Sequence, residues 1–543
     1  MAIIKHFKTL VSVLSLVLAF DLQAAPLSPL QTEALTQLDW FHDLISETYE
    51  AKEIKSALFG WDLQTETALA QQRIARNSSD DKQVYQRIFR DYFKSARDYH
   101  VRVLSSSKAT STLPFRIRKA EGRYFISEID AQFTDLQGLA VGDEVIGFDD
   151  LDMPAAIART KIEMRTMSHV PTDDALASIK LTSASAANLD VLRQGPVEIR
   201  IIPKGEVSTQ TLSFNWNYQV LAQPSIRHDT FFETHNSDFA GLDPATGAKN
   251  GPLPNFGKVL WQNKADGSFR AYIFELGQKK IGVIRIATFN GNQDFVDEFA
   301  TLVAAMERET DALVLDQTNN PGGQIFYTYA LVTYLIQTPV ATPLFRQSVY
   351  KSVVDFNQRQ LEAINRSTTL DELKQNLSSF KFYGFPITWS LAQDLKEYNE
   401  NYLRAFASGQ KILEPQFRRI RTLYPAPHAV TYTKPVLMLI DQLDMSCADM
   451  LPAFLQDLGR VKLFGEQTSG AGGNNDTGVV PSNSFGLATW SLTTTTMLRK
   501  DGSYLENNGA KPDYPYSLTV FDLQNNYSGY VGAVHAALID MLK

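Results

Sequence analysis

Four short apolar runs in the second half of the chain limit its architecture more than any other feature. "IGVIRIATF" begins at Ile281, "DALVLD" at Asp311, "KPVLMLID" at Lys434 and "VKLFGE" at Val461. Each has the length and composition of a buried strand. Between the first two lies "QDFVDEFATLVAAMERE", whose apolar residues recur three and four apart, as on one face of a helix. Strands alternating with helices predict a largely parallel sheet and an α/β core. A charged helical segment holding "LDELKQNL" and "LAQDLKEYNENYLRAF" interrupts the alternation and reads as an insertion over 352–430. The core is therefore expected in two parts, 281–351 and 431–543.

Upstream the period changes twice. Residues 25–110 read as helical, because "LTQLDWFHDLISETY" and "VYQRIFRDYFKSARDY" both carry the helical spacing. From about residue 112, "LPFRIRKAEGRYFISEID" alternates around a Gly turn and predicts a hairpin. "GLAVGDEVIGFDD" follows as a turn and a short strand, and "VEIRIIPKGE" closes a β module over 111–206. The Gly/Pro/Asn-rich stretch in 207–280 reads as a linker or lid.

The ends and the charge narrow the class further. Lys5 and Lys8 precede an apolar run from Leu10 to Phe20, and "LQAAP" follows, so residues 1–24 read as a secretory signal. An exported protein is expected, in the periplasm or outside a bacterial cell, with no stable membrane insertion once the signal is removed. The single cysteine rules out an internal disulfide. A net charge of −8 without a basic run gives no footprint for nucleic acid. No Cys or His spacing suggests a metal site, and no cofactor is expected.

Chemistry in open α/β sheets collects where strands end. "LVLDQTNNPGGQ" ends a strand in a polar turn, and Gly322 and Gly323 there let backbone N–H groups approach a ligand closely. "VLMLIDQLDMSCADM" ends another, and it puts Ser446 where a helix can begin. Ser446 is either an ordinary helix cap or a nucleophile at a strand–turn–helix elbow. A helix starting near Ala448 would place Pro452 in its first turn.

"IGVIRIATF", "DALVLDQTNNPGG" and "SCADMLPAFLQDLGRVKLFGEQTSGAGG", in this order, resemble the catalytic core of the tail-specific, or C-terminal processing, serine protease family. "GLAVGDEVIGFDD" resembles the signature turn of a PDZ domain, which that family places before its core. The resemblance implies a crotonase-like α/β protease core, a PDZ-like β module and an N-terminal helical region. It implies Ser446 as nucleophile and an oxyanion hole from the backbone N–H of Cys447 and of Gly322 or Gly323. One position departs from the pattern. In the common branch a lysine follows "GE-x-T-x-G" as general base, and here Ala471 stands there, with no lysine between Lys462 and Lys500.

A serine hydroxyl needs a base. The "TSGAGGN" segment is similar to a second branch of the family, which uses Ser–His–Glu. On that pattern "SARDYHVRV" supplies His100 as base and "SYLENNGAKPDYPY" supplies Glu506 as the acid that orients it, with Asp501 and Asp513 as competing acids. Cys447 is a competing nucleophile, and Asp457 and Glu466 read as structural. The expected activity is that of a serine endopeptidase acting on proteins or peptides. The rival class is a non-catalytic binding protein of the same fold, in which a PDZ-like module takes up extended chain ends.

Overall fold

The computed structural model describes residues 26–130, 136–165, 168–220, 251–426 and 429–543. The expected signal at 1–24 lies outside the described residues.

The four apolar runs become Lys279–Arg285, Ala312–Asp316, Val436–Ile440 and Lys462–Gly465, which pair in parallel in that order. Tyr514–Pro515 extends the sheet in parallel at one edge. At the other edge Arg270–Leu276 and Val259–Gln262 add antiparallel, making a seven-stranded sheet. The stretch read as linker or lid is thus partly core. Its two strands carry too little apolar periodicity to stand out, and pairing with an already formed edge stabilises them. Both faces of the sheet are covered. Gln293–Glu309, Ile325–Val332 and Cys447–Asp457 pack one face, and the last helix, Ser528–Met541, packs the other.

A second sheet joins distant parts of the chain. Its spine is the long strand Leu487–Leu498, flanked by Gly473–Val479, Leu344–Ser348 and Arg102–Ser105. Ile412–Phe417, from the segment read as a helical insertion, pairs onto Leu344–Ser348. That segment also supplies helices Lys351–Asn365, Leu370–Leu377 and Trp389–Ala407.

The N-terminal region folds as helices Pro29–Thr48, Lys52–Phe59, Leu63–Arg76 and Lys82–Lys94. The last of these buries Tyr85, Ile88, Phe89, Tyr92 and Phe93. The chain then turns through His100 into the strand Arg102–Ser105. The β module holds the expected hairpin, Phe115–Ala120 with Arg123–Ile129, followed by Glu144–Phe148 and Pro196–Ile202. One further strand, Gln210–Asn215, lies past the expected boundary at 206 and pairs with Pro196–Ile202.

Candidate active site

Ser446 sits between the strand Val436–Ile440 and the helix Cys447–Asp457 with φ 58° and ψ −118°. An L-residue held there is strained by about 1–3 kcal/mol and persists only where its surroundings over-determine it. The preceding turn does so. Buried Asp444 accepts from Asn320 N and Gln317 Nε2, each at 2.9 Å, and Met445 N donates to Asn320 O at 3.0 Å. Burial, then the neighbouring Asp441, holds the Asp444 carboxyl well above the usual carboxylate range. Ser446 makes no side-chain capping bond, so its hydroxyl is not spent as a helix cap.

The helix begins at Cys447, so Pro452 lies in its interior and not in the first turn as the sequence suggested. Proline has no N–H to give the carbonyl four residues back. That carbonyl, Ala448 O, is taken instead by Gln317 Nε2 at 2.7 Å.

The double glycine packs directly on the elbow. A Cβ at Gly322, where φ is +93°, would stand 2.5 Å from Met445 O and 2.7 Å from Ser446 Cβ. Gly322 N–H is donated to Asn320 Oδ1 at 2.8 Å, which removes Gly322 from the expected oxyanion donors. Its role is close approach. Gly323 N–H and Cys447 N–H have no backbone or side-chain acceptor among the described residues. Cys447 Sγ donates to Gly323 O at 3.2 Å, and burial pushes the thiol up to about 11. The side chain is a strut for the glycine loop and a poor thiolate.

His100 is 7% exposed. Its backbone N–H donates to Asp98 Oδ1 at 2.9 Å, and Asp98 Oδ2 accepts from Tyr49 Oη and Thr493 Oγ1. Its ring Nδ1 is buried without a partner. Burial lowers the imidazole to about 4, against the opposing pull of Asp98, so the ring is neutral at neutral pH. A neutral ring is the form able to accept a proton.

Glu506 is 1% exposed, not the partly solvated carboxylate that "ENNG" suggests. The glycine loop closes over it: a Cβ at Gly472 would stand 2.6 Å from Glu506 N. Asn507 N donates to Gly470 O, and Asp449 of the helix Cys447–Asp457 accepts from Ser469 Oγ, Gly470 N and Ala471 N. Glu506 Oε1 meets Lys55 Nζ at 2.5 Å, while Oε2 is buried without a partner. Burial, with Asp98 adding, pushes the carboxyl up to about 8, and Lys55 opposes the rise. No hydrogen bond joins His100 to Ser446 or to Glu506 among the described residues. Asp98 and Lys55 form the link, since both lie close to His100 and to Glu506.

The competing acids fall elsewhere. Asp501 is at an exposed turn and accepts from Ser503, and Asp513 accepts from Leu463 N and Lys462. Asp457 pairs with Arg499. Lys55 is the partner of Glu506 that sequence reading missed. In "AKEIKSALFG" it is one helical turn from buried Ala51 and from Phe59, and a lysine on an apolar face was the available signal.

A cavity of about 360 Å³ lies between the edge strand Phe115–Ala120 and the helix Val170–Thr182. It opens onto Asn319, Gln442 and Glu466 of the core, on the side of the elbow.

Residues 280–516 match the model of peptidase family S41, and residues 109–220 match a PDZ domain. The chain is thus a serine protease with an S41 peptidase domain, a PDZ domain and a helical N-terminal region. Among solved structures it is similar to mature CPAF complexed with lactacystin, at 26% identity and a TM-score of 0.83, covering 95% of this chain and 99% of that one. A Chlamydia pneumoniae protein is 27% identical over 94% of this chain and 90% of its own length. A Chlamydia trachomatis protein is 26% identical over 95% of each.

Proposed function

We propose that the chain is an exported endopeptidase that cleaves proteins or peptides through Ser446, His100 and Glu506. The observation that carries the reading is the backbone of Ser446, strained at an elbow that faces two uncommitted N–H groups. The hydroxyl attacks the scissile carbonyl while His100 removes its proton. The N–H groups of Gly323 and Cys447 take the charge that develops on the carbonyl oxygen. His100 then returns the proton to the leaving amine, and Glu506 balances the imidazolium formed in between. An extended substrate segment adds to the edge strand Phe115–Ala120, which pairs with a strand on one side only among the described residues, and this sets it in the cavity that opens toward the elbow. Lactacystin, bound in the CPAF structure, is expected to compete at the same site.

The test is fluorophosphonate labelling and casein hydrolysis by the wild-type and Ser446→Ala proteins. The substitution is nearly isosteric, so the fold should survive. Labelling should vanish and turnover should fall by on the order of a million-fold. Casein cleavage by the variant at the wild-type rate would overturn the reading.

A further inference from the structure

A lysine with no solvent contact is costly unless every donor and its charge are matched. The Lys55 side chain is fully buried, and its Nζ meets three acceptors. They are Glu506 Oε1 at 2.5 Å, Asn507 Oδ1 at 2.7 Å and Arg97 O at 3.1 Å. Three N–H groups meeting three acceptors fix the ammonium in place. Asp98 Oδ2 stands 3.8 Å from the same nitrogen.

We propose that Lys55 is a positioning residue of the catalytic centre. Its ammonium pins one oxygen of Glu506, favours the anionic form of that carboxylate against its surroundings and leaves the other oxygen to the imidazole of His100. The proposal rests on the reading of Ser446, His100 and Glu506 above, and it adds the group that governs the acid.

The surroundings of Glu506 make such a group necessary. Burial, Asp98 and Asp449 all favour its protonated form, and Lys55 is the cation that opposes them. Tyr49 and His100 beside the pair are neutral at neutral pH, and Arg102 is a further cation acting on His100. A protonated Glu506 would carry no charge to balance an imidazolium. A purely structural lysine, gluing the helix Lys52–Phe59 to the core, would change stability but not the pH at which the enzyme works.

Lys55→Met in the full chain separates the two. Against a fluorogenic peptide, kcat is expected to fall about a hundredfold at pH 7 with KM little changed. The pH at which activity rises should move upward relative to wild type, because Glu506 without its cation ionises at a higher pH. Lys55→Arg, which keeps the charge, should recover part of the loss. In a Glu506→Gln background, Lys55→Met should cost almost nothing more, because the lysine acts through the glutamate. A folded Lys55→Met enzyme with an unshifted pH profile overturns the proposal and leaves the triad standing. An active Ser446→Ala protein removes the triad instead. If near-UV circular dichroism shows Lys55→Met unfolded, the double variant decides, since it removes both charges of the pair. Activity equal to Glu506→Gln supports the proposal, and a further loss of about tenfold or more overturns it.

Discussion

At the scale of single residues, burial sets the chemistry. His100 titrates near 6.5 in an unfolded chain and near 4 in the folded one. Between those values the unfolded chain binds more protons, so stability is full above pH 6.5 and declines as pH falls toward 4. The loss is on the order of 3 kcal/mol. Urea unfolding at pH 7, 5.5 and 4.5 should show it in the wild type and show a flatter response in His100→Asn. An equal decline in both proteins would assign the effect to other groups. Gly322→Ala tests the other side of the elbow. The methyl group would fall within 2.7 Å of Ser446 Cβ at a φ of +93°, so the serine must shift. Fluorophosphonate labelling should drop by about a hundredfold, since small misplacements at a reacting centre cost that much. Cys447→Ala should keep turnover within about tenfold of wild type, because the side chain supports Gly323 and the proposed donor is the backbone. A folded Cys447→Ala protein as inactive as Ser446→Ala would make the thiol the nucleophile.

At the scale of elements, the helix Cys447–Asp457 depends on a loop that follows another strand. Pro452 frees Ala448 O, and Gln317 takes it up while also holding Asp444. Gln317→Leu should therefore cost about 1–3 kcal/mol for each acceptor left unpaired. Pro452→Ala in the same chain returns an N–H to Ala448 O and should recover part of that cost in urea midpoints. No recovery would mean the carbonyl finds another donor. The core strands were legible because uniform apolar runs of five to nine residues have few other uses. The elbow was legible because a strand, a tight turn and a helix-compatible segment follow one another without interruption. His100 and Glu506 could be named only through family resemblance. Nothing local marks a histidine between a helix and a strand, and "ENNG" reads as solvated until Gly470–Gly472 and the helix Lys52–Phe59 cover it. Lys55 shows in the sequence only as a lysine on an apolar helix face, and its partner, 451 positions away, could not be read from it. The strands Val259–Gln262 and Arg270–Leu276 escaped notice because the neighbouring sheet edge fixes them more than their own pattern does.

At the scale of the whole molecule, the site is built where the N-terminal helices meet the second sheet. Arg346, on the strand Leu344–Ser348, pairs with Glu50 at 2.9 Å and Glu53 at 2.6 Å, and Glu50 N donates to Thr493 O. Glu50 is buried, and burial pushes its carboxyl up to about 7 against the pull of Arg346. Arg346→Met strands that carboxylate and should destabilise the junction by about 3–5 kcal/mol. Hydrogen exchange should rise first in the helices between Pro29 and Lys94, ahead of the parallel strands. A uniform rise would mean that helices and core open as one unit. The placement of the three proposed catalytic groups has a consequence for how the enzyme is made. His100 leaves the ribosome early, Ser446 late and Glu506 later still, and the strand Tyr514–Pro515 that closes the parallel sheet comes after all three. On the proposed assignment, a nascent chain carries the base without the nucleophile through most of its synthesis. Hydrolysis can begin only when translation is nearly complete, so the unfinished polypeptide is spared from its own activity by the order of its residues alone.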